Sequence, residues 1–295
     1  MNFMRFIMIQ KKMNNSKGTK PKFEETRFSL TPNSTNLILL TSEKGHEIGE
    51  QFTMNLLGIP QQALDIPAKQ KEELFLISIE IFKKLSKLAN AVDKYAEEEA
   101  KLVEEFKVKV QKDGRRIAHQ SDILEAAIEE VLSQAKSALD VLVKMFEPLL
   151  GIKLHTYGEN GDKLIKALKN NTPTEDKDKI AAIIQIVELF KPYTESIIGL
   201  RTTTQHYKNI QMTPLIAVAD EKGSIDISVP KISQSQTAKE YSEIVYHNIF
   251  VFIRDLMIFS FASKFYSGIV PVVIEERGPR IKKIGVTISE NALKK

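Results

Sequence analysis

Residues 121–150 read SDILEAAIEEVLSQAKSALDVLVKMFEPLL, and their spacing decides the fold class. Leu124, Ile128, Val131, Ala135, Leu139, Leu142, Phe146 and Leu149 recur at three- and four-residue steps, so they share one face of a helix. Ser121 can cap the first turn, and Asp122 complements the positive end of the helix dipole. Pro148 and Gly151 mark the exit. A helix with one apolar stripe must bury that stripe against other elements, and the neighbouring sequence supplies further helices to do so.

Upstream, residues 67–112 carry the same period through Leu74, Ile77, Ile81, Leu85, Leu88, Val92, Tyr95, Leu102 and Phe106. Pro67 suits a first-turn position and Gly114 an exit. Unbroken, this helix is roughly 65–70 Å long. One compact core cannot cover that length. The expectation is a bend, a break near Asn90, or packing against another subunit. The cluster Glu97-Glu98-Glu99 and Glu104-Glu105 reads as a solvated face. Before it, Arg27 to Leu30 and Asn36 to Thr41 read as short strands around a turn at Pro32-Asn33-Ser34.

Downstream, a short helix is expected near Asp162–Lys169. Thr174 is then the expected cap of a helix whose stripe is Ile180, Ile183, Ile184, Val187 and Phe190. Pro192 should kink or end it, and helical spacing resumes from Thr194 to Leu200. Residues 213–232 read as a β-hairpin, with Leu215 to Val218 and Ile225 to Val229 around Glu221-Lys222-Gly223. A last helix rich in Phe and Ile spans about Gln236–Phe265. Two strands, Val270–Glu275 and Ile281–Ile288, close the chain.

The net charge of +4 is unevenly distributed. Residues 1–22 hold Arg5, Lys11, Lys12, Lys17, Lys20 and Lys22 and no acid, a charge of +6, which leaves the remaining 273 residues at −2. A body of that charge is unsuited to coating a long duplex, although a local phosphate site remains open. The chain has no cysteine, which excludes disulfides, thiolate zinc sites and cysteine nucleophiles. Met1 to Ile9 is too short an apolar run to span a membrane, and no small-residue cleavage site follows it. Glu243, Arg254, Asp255 and Lys264 divide the apolar stretch from Ile244 to Ile274, so it reads as a buried helix.

The sequence has no P-loop, no dinucleotide glycine fingerprint, no nucleophile elbow and no zinc-protease His-Glu pair. Its most chemical feature is Arg201-Thr202-Thr203-Thr204-Gln205-His206. An arginine stays charged and can fork onto phosphate oxygens. A histidine titrates near neutrality and can move a proton. Together they suffice to cut RNA without a metal. Removing the proton of the 2′-hydroxyl lets that oxygen attack the adjacent phosphate, leaving a cyclic phosphate and a free 5′-hydroxyl. Five residues on a regular helix advance 500°, so the two side chains converge only if the helix ends or distorts between them. Three β-branched residues in a row favour such a distortion. The alternative is a surface arginine and a capping histidine at a helix end.

This arrangement resembles the HEPN superfamily of helical-bundle ribonucleases, whose signature is Arg, four to six residues, then His, before the last bundle helix. The resemblance covers roughly residues 119–267. It implies a mainly α fold, an antiparallel helical bundle with small β-hairpin additions at the N-terminus, before the last helix and at the C-terminus. The expected organisation is a flexible basic leader (1–24), an N-terminal β-hairpin plus long helix (25–115), a HEPN-like bundle with a hairpin insertion at 213–232 (116–268), and a C-terminal β extension (269–295). The resemblance further implies a homodimer in which two motifs meet in one cleft, with Arg201 and His206 catalytic and Thr202 and Tyr207 positioning RNA or the histidine. No cofactor or metal is called for. Such enzymes resemble cytoplasmic toxins and antiviral-defence effectors held back by a regulatory protein partner. The competing expectation is a non-catalytic interaction or scaffold protein that acts through the long 67–112 helix.

Overall fold

In chain order, β1 (Thr26–Ser29) and β2 (Leu37–Leu40) form an antiparallel pair, followed by α1 (Ala68–Asp113) and β3 (Ile117–His119). Next come α2 (Asp122–Leu142), a 3₁₀ turn (Val143–Met145), α3 (Phe146–Leu150), α4 (Asp162–Asn171) and α5 (Lys177–His206). Strands β4 (Leu215–Ala219), β5 (Ile225–Ser228), β6 (Lys231–Ser233) and β7 (Gln236–Thr237) lead to α6 (Ala238–Lys264), and β8 (Ile269–Arg277) and β9 (Ile281–Ile288) close the chain. The computed structural model describes residues 26–29, 37–40, 44–45, 47–49, 67–113, 116–171, 177–206, 210–220, 224–264, 269–277 and 281–288. The leader at 1–24, the Thr174 cap and Tyr207 therefore lie outside the described residues. The fold is mainly helical with small antiparallel sheets, as expected from the periodicity.

The stretch at 121–150 forms as its caps dictate. Ser121 Oγ accepts from the Leu124 amide at 3.3 Å. The helix tightens into a 3₁₀ turn at Val143–Met145 and stops where Gly151 turns left-handed, φ +71°, with its amide on the Glu147 carbonyl at 2.9 Å. Leu124, Ile128, Val131, Leu132, Leu139 and Leu142 are fully buried. Burying each such side chain favours folding by about 1.5–3 kcal/mol.

One continuous core joins this helix to Leu74, Phe82, Leu85, Val92 and Tyr95 of α1, Ile183 and Val187 of α5, and Phe250, Phe252, Leu256 and Phe261 of α6. It therefore draws on both the 25–115 and the 116–268 segments. The 46-residue α1 is unbroken through Asn90. Part of its excess length is covered within the chain. Phe106 and Val110 on its far half pack with Leu215 and Ala217 into a second, smaller cluster. That cluster sits under an antiparallel sheet in the order β3-β4-β5, so the hairpin at 215–228 gains a third strand from Ile117–His119.

The α5 helix runs through Pro192 without interruption. Proline removes one helical donor there, but the Thr194 hydroxyl donates into the same turn, 3.3 Å from the Phe190 carbonyl and 3.2 Å from the Lys191 carbonyl. The α6 helix opens with a capping box: the Thr237 hydroxyl accepts from the Glu240 amide at 3.1 Å, and the Glu240 carboxylate accepts from the Thr237 amide at 2.9 Å. By length and hydropathy Ala238–Phe261 would suffice to cross a membrane, yet 67% of its most apolar window is buried within the protein.

Candidate functional site

Two features adjoin α5: the polar end that carries Arg201 to His206, and a groove that its middle forms with α6.

A clamp fixes α5 against the bundle. The Asp140 carboxylate of α2 accepts from Lys136 Nζ, from Thr156 Oγ at 2.7 Å and from the Tyr157 amide at 2.9 Å. This ties the loop after α3 to α2. Fully buried Tyr157 then reaches α5, its hydroxyl 3.4 Å from Thr194 Oγ, and meets the Phe252 ring edge-on at 5.8 Å. On the surface, Lys191 Nζ lies 2.8 Å from the Asp162 carboxylate, which is held below the usual aspartate range by that hydrogen bond.

The helix does not end between Arg201 and His206. It continues to His206 as its last residue, and the Thr203 hydroxyl donates to the Gly199 carbonyl at 2.9 Å, so the threonine run is accommodated within the helix. Arg201 and Thr202 are half-buried, and Arg201 Nε is shielded from solvent. The His206 side chain and all of Tyr207 lie outside the described residues. On regular helical geometry positions 201 and 206 lie about 140° apart around the axis.

The groove has better-defined walls. Helices α5 and α6 run antiparallel: Phe190 packs on Phe252 with ring centroids 5.3 Å apart, and further along Ser196 faces the Tyr241 hydroxyl, whose pKa burial pushes up to about 12. Between them and residues 44–49 lies a cleft of about 1150 Å³, lined by Leu189, Phe190 and Tyr193 of α5, Glu243, Ile244, Tyr246, His247, Asn248 and Val251 of α6, and Lys44 and Glu47. A second hollow of about 660 Å³ shares Glu243 and Ile244 and extends to Ser235, Gln236, Lys239 and Glu240. Residues 238–251 thus form one helical floor about 20 Å long at 1.5 Å per residue.

Lys44 locks one wall. Its Nζ lies 2.7 Å from Asp93 of α1 and 3.1 Å from Glu243 of α6, and the Tyr246 hydroxyl donates to its carbonyl at 3.2 Å. Burial opposes the lysine charge, but the bonds to Asp93 and Glu243 outweigh it and hold its pKa above the ordinary value. His247 is half-buried, and desolvation, reinforced by Arg254, lowers its pKa and favours the neutral ring.

Arg254 and Asp255 are adjacent on α6, and the arginine folds back, placing Nε 2.8 Å and Nη2 2.7 Å from the Asp255 carboxylate. His119 is exposed on β3 and lies against the Phe106 ring, with centroids 5.6 Å apart. The groove was not found from sequence, because its walls come from three segments that share no local motif. The one local signal was the set of large apolar residues, Leu189, Tyr193 and Ile244, at positions where the helical period calls for a solvent face.

Comparison with known proteins returned no matching family model, no similar curated protein and no similar solved structure.

Proposed function

We propose that the chain is a metal-independent endoribonuclease of HEPN type that works as a pair of copies. The observation that carries this reading is the position of Arg201 and His206: both sit on the final turns of α5, the helix immediately before the short strands that lead to the last bundle helix. Arg201 binds the scissile phosphate through its guanidinium. His206 takes the 2′-hydroxyl proton, the 2′-oxygen bonds to phosphorus, and the 5′-oxygen leaves and is protonated. Thr202 and Tyr207 position RNA or the imidazole. Because positions 201 and 206 lie about 140° apart around a regular helix, Arg201 of one copy and His206 of the other build each site. A toxin or antiviral-defence role, with a regulatory protein that restrains the enzyme in the cytoplasm, follows from the resemblance.

Purified protein should cleave single-stranded RNA in EDTA, and Arg201→Ala and His206→Ala should each reduce cleavage by about a hundredfold or more, the usual scale for losing a general base. Cleavage that persists in both variants removes this pair from the chemistry.

The unbroken helix through His206 favours a second reading, in which Arg201 and His206 merely finish a helix whose C-terminal end attracts cations. The protein is then a binding module that acts through the long face of α1. Inactivity of the wild-type chain on RNA, together with an α1 surface that captures a protein partner, would select it.

A further inference from the structure

Seven large hydrophobic side chains are exposed among the described residues, and three of them lie on the α5–α6 groove: Leu189 at 69%, Tyr193 at 50% and Ile244 at 45% exposure. Such clustering along a concave floor marks a surface built to be covered. The groove is also acidic. Glu47 and Glu243 line it, Glu240 lines its extension, and Glu188 and Glu195 are exposed on α5 within a turn of Leu189 and Tyr193. Of the lysines nearby, Lys44 is bonded to Asp93 and Glu243, Lys191 is bonded to Asp162, and Lys239 stands at the far end.

We propose that the chain's own basic leader, residues 1–22, is the occupant of this groove. Its chemistry is the complement of the floor: Met1 to Ile9 holds only Asn2 and Arg5 as polar residues, and the segment carries six basic residues and no acid. The tether permits it. Lys44 itself forms a wall of the groove, and Lys22 is joined to it through the β1–β2 hairpin, where Thr26 pairs with Leu40; the four steps on either side of that pair still reach up to about 30 Å, more than the length of the floor. Charge selects the leader over a second copy. A two-fold dimer would set this acidic patch, with the exposed Glu188 and Glu195, against the same acidic patch of the second copy. The docked leader neutralises those two carboxylates instead. This inference is independent of the nuclease reading.

The absence of cysteine allows a direct test in the full-length chain. Oxidation of an Ile7→Cys, Leu189→Cys double variant should give an intramolecular disulfide in several-fold higher yield than an Ile7→Cys, Val108→Cys control, whose second site is exposed on the far half of α1. Adding Glu188→Lys and Glu195→Lys, both at exposed positions, should lower that yield several-fold while leaving the thermal midpoint unchanged. Equal yields at positions 189 and 108 overturn the proposal. Cross-links that form between chains rather than within one overturn it in favour of a second copy. A yield indifferent to the charge reversals overturns the electrostatic basis of the docking.

Discussion

Gly161 is where a single atom decides a packing contact. Its φ is +79°, and an added Cβ would meet Tyr157 Oη at 2.6 Å and Val187 Cγ1 at 2.7 Å. Both neighbours are fully buried, so neither can move aside. Gly151 has a similar φ, +71°, but open space around the missing Cβ. Gly151→Ala should therefore carry only the left-handed penalty, about 1–2 kcal/mol. Gly161→Ala should add overpacking and reach about 2–5 kcal/mol in urea denaturation. Similar losses for the two would mean that Tyr157 is not the fixed pin between the loop and α5. Glu99 tests burial of charge at the same scale. It accepts from the Tyr95 hydroxyl at 3.1 Å, and burial raises its pKa despite that bond and despite Lys239. The folded state therefore holds this proton more tightly than the unfolded state. Stability falls as pH rises from the ordinary value of 4.5 through the raised folded value, and stays lower above it. Glu99→Gln keeps an oxygen for Tyr95 and removes the charge. Its melting temperature should exceed wild type at pH 7–8, with the gain vanishing as the pH drops to about 4. A gain of the same size at every pH would place the effect elsewhere.

At the scale of elements, α1 serves two cores. Its first half joins the main bundle, while Phe106 and Val110 join Leu215 and Ala217 beneath the three-stranded sheet. Phe106→Ala should cost about 3–5 kcal/mol within that small cluster. Hydrogen exchange should then accelerate at 102–113, 117–119 and 215–228 while 124–142 stays protected, because the two clusters open as separate units. Uniform acceleration across α2 would show one cooperative core instead. This division also explains what could be read in advance. The period of α1, the Ser121 cap and the hairpin at 215–229 were legible because each is a local pattern. The β3 strand was not, since Ile117-Ala118-His119 is too short to show alternation and forms only by pairing with residues 215–217. Pro192 was expected to kink or end the helix from local preference, and the helix does not end there but continues to His206. The Arg201-to-His206 spacing was visible, yet the helix does not end between them, and the Thr203 hydroxyl bonds back to the Gly199 carbonyl.

At the scale of the whole molecule, the continuation of α5 through His206 bears on the proposed chemistry of Arg201 and His206. Helix positions about 140° apart are poorly placed to serve one phosphodiester, so the proposed site takes the arginine from one copy and the histidine from the other. A two-fold pair then has two equivalent sites. Arg201→Ala and His206→Ala copies should each be inactive alone. Mixed, they give a hybrid pair in which one site receives both altered residues and the other receives both native ones. With random exchange about half of the pairs are hybrids with one working site of two, so mixing should restore about a quarter of wild-type RNA cleavage. Activity should appear at the rate of subunit exchange, lag after mixing, and disappear on dilution below the dissociation constant of the pair. A site built within one chain predicts no recovery at any ratio, because every copy in the mixture lacks one of the two groups. Absence of recovery with demonstrated exchange, in a wild-type protein that does cut RNA, would thus require the last turn of α5 to unwind on binding substrate and bring the two side chains to one side.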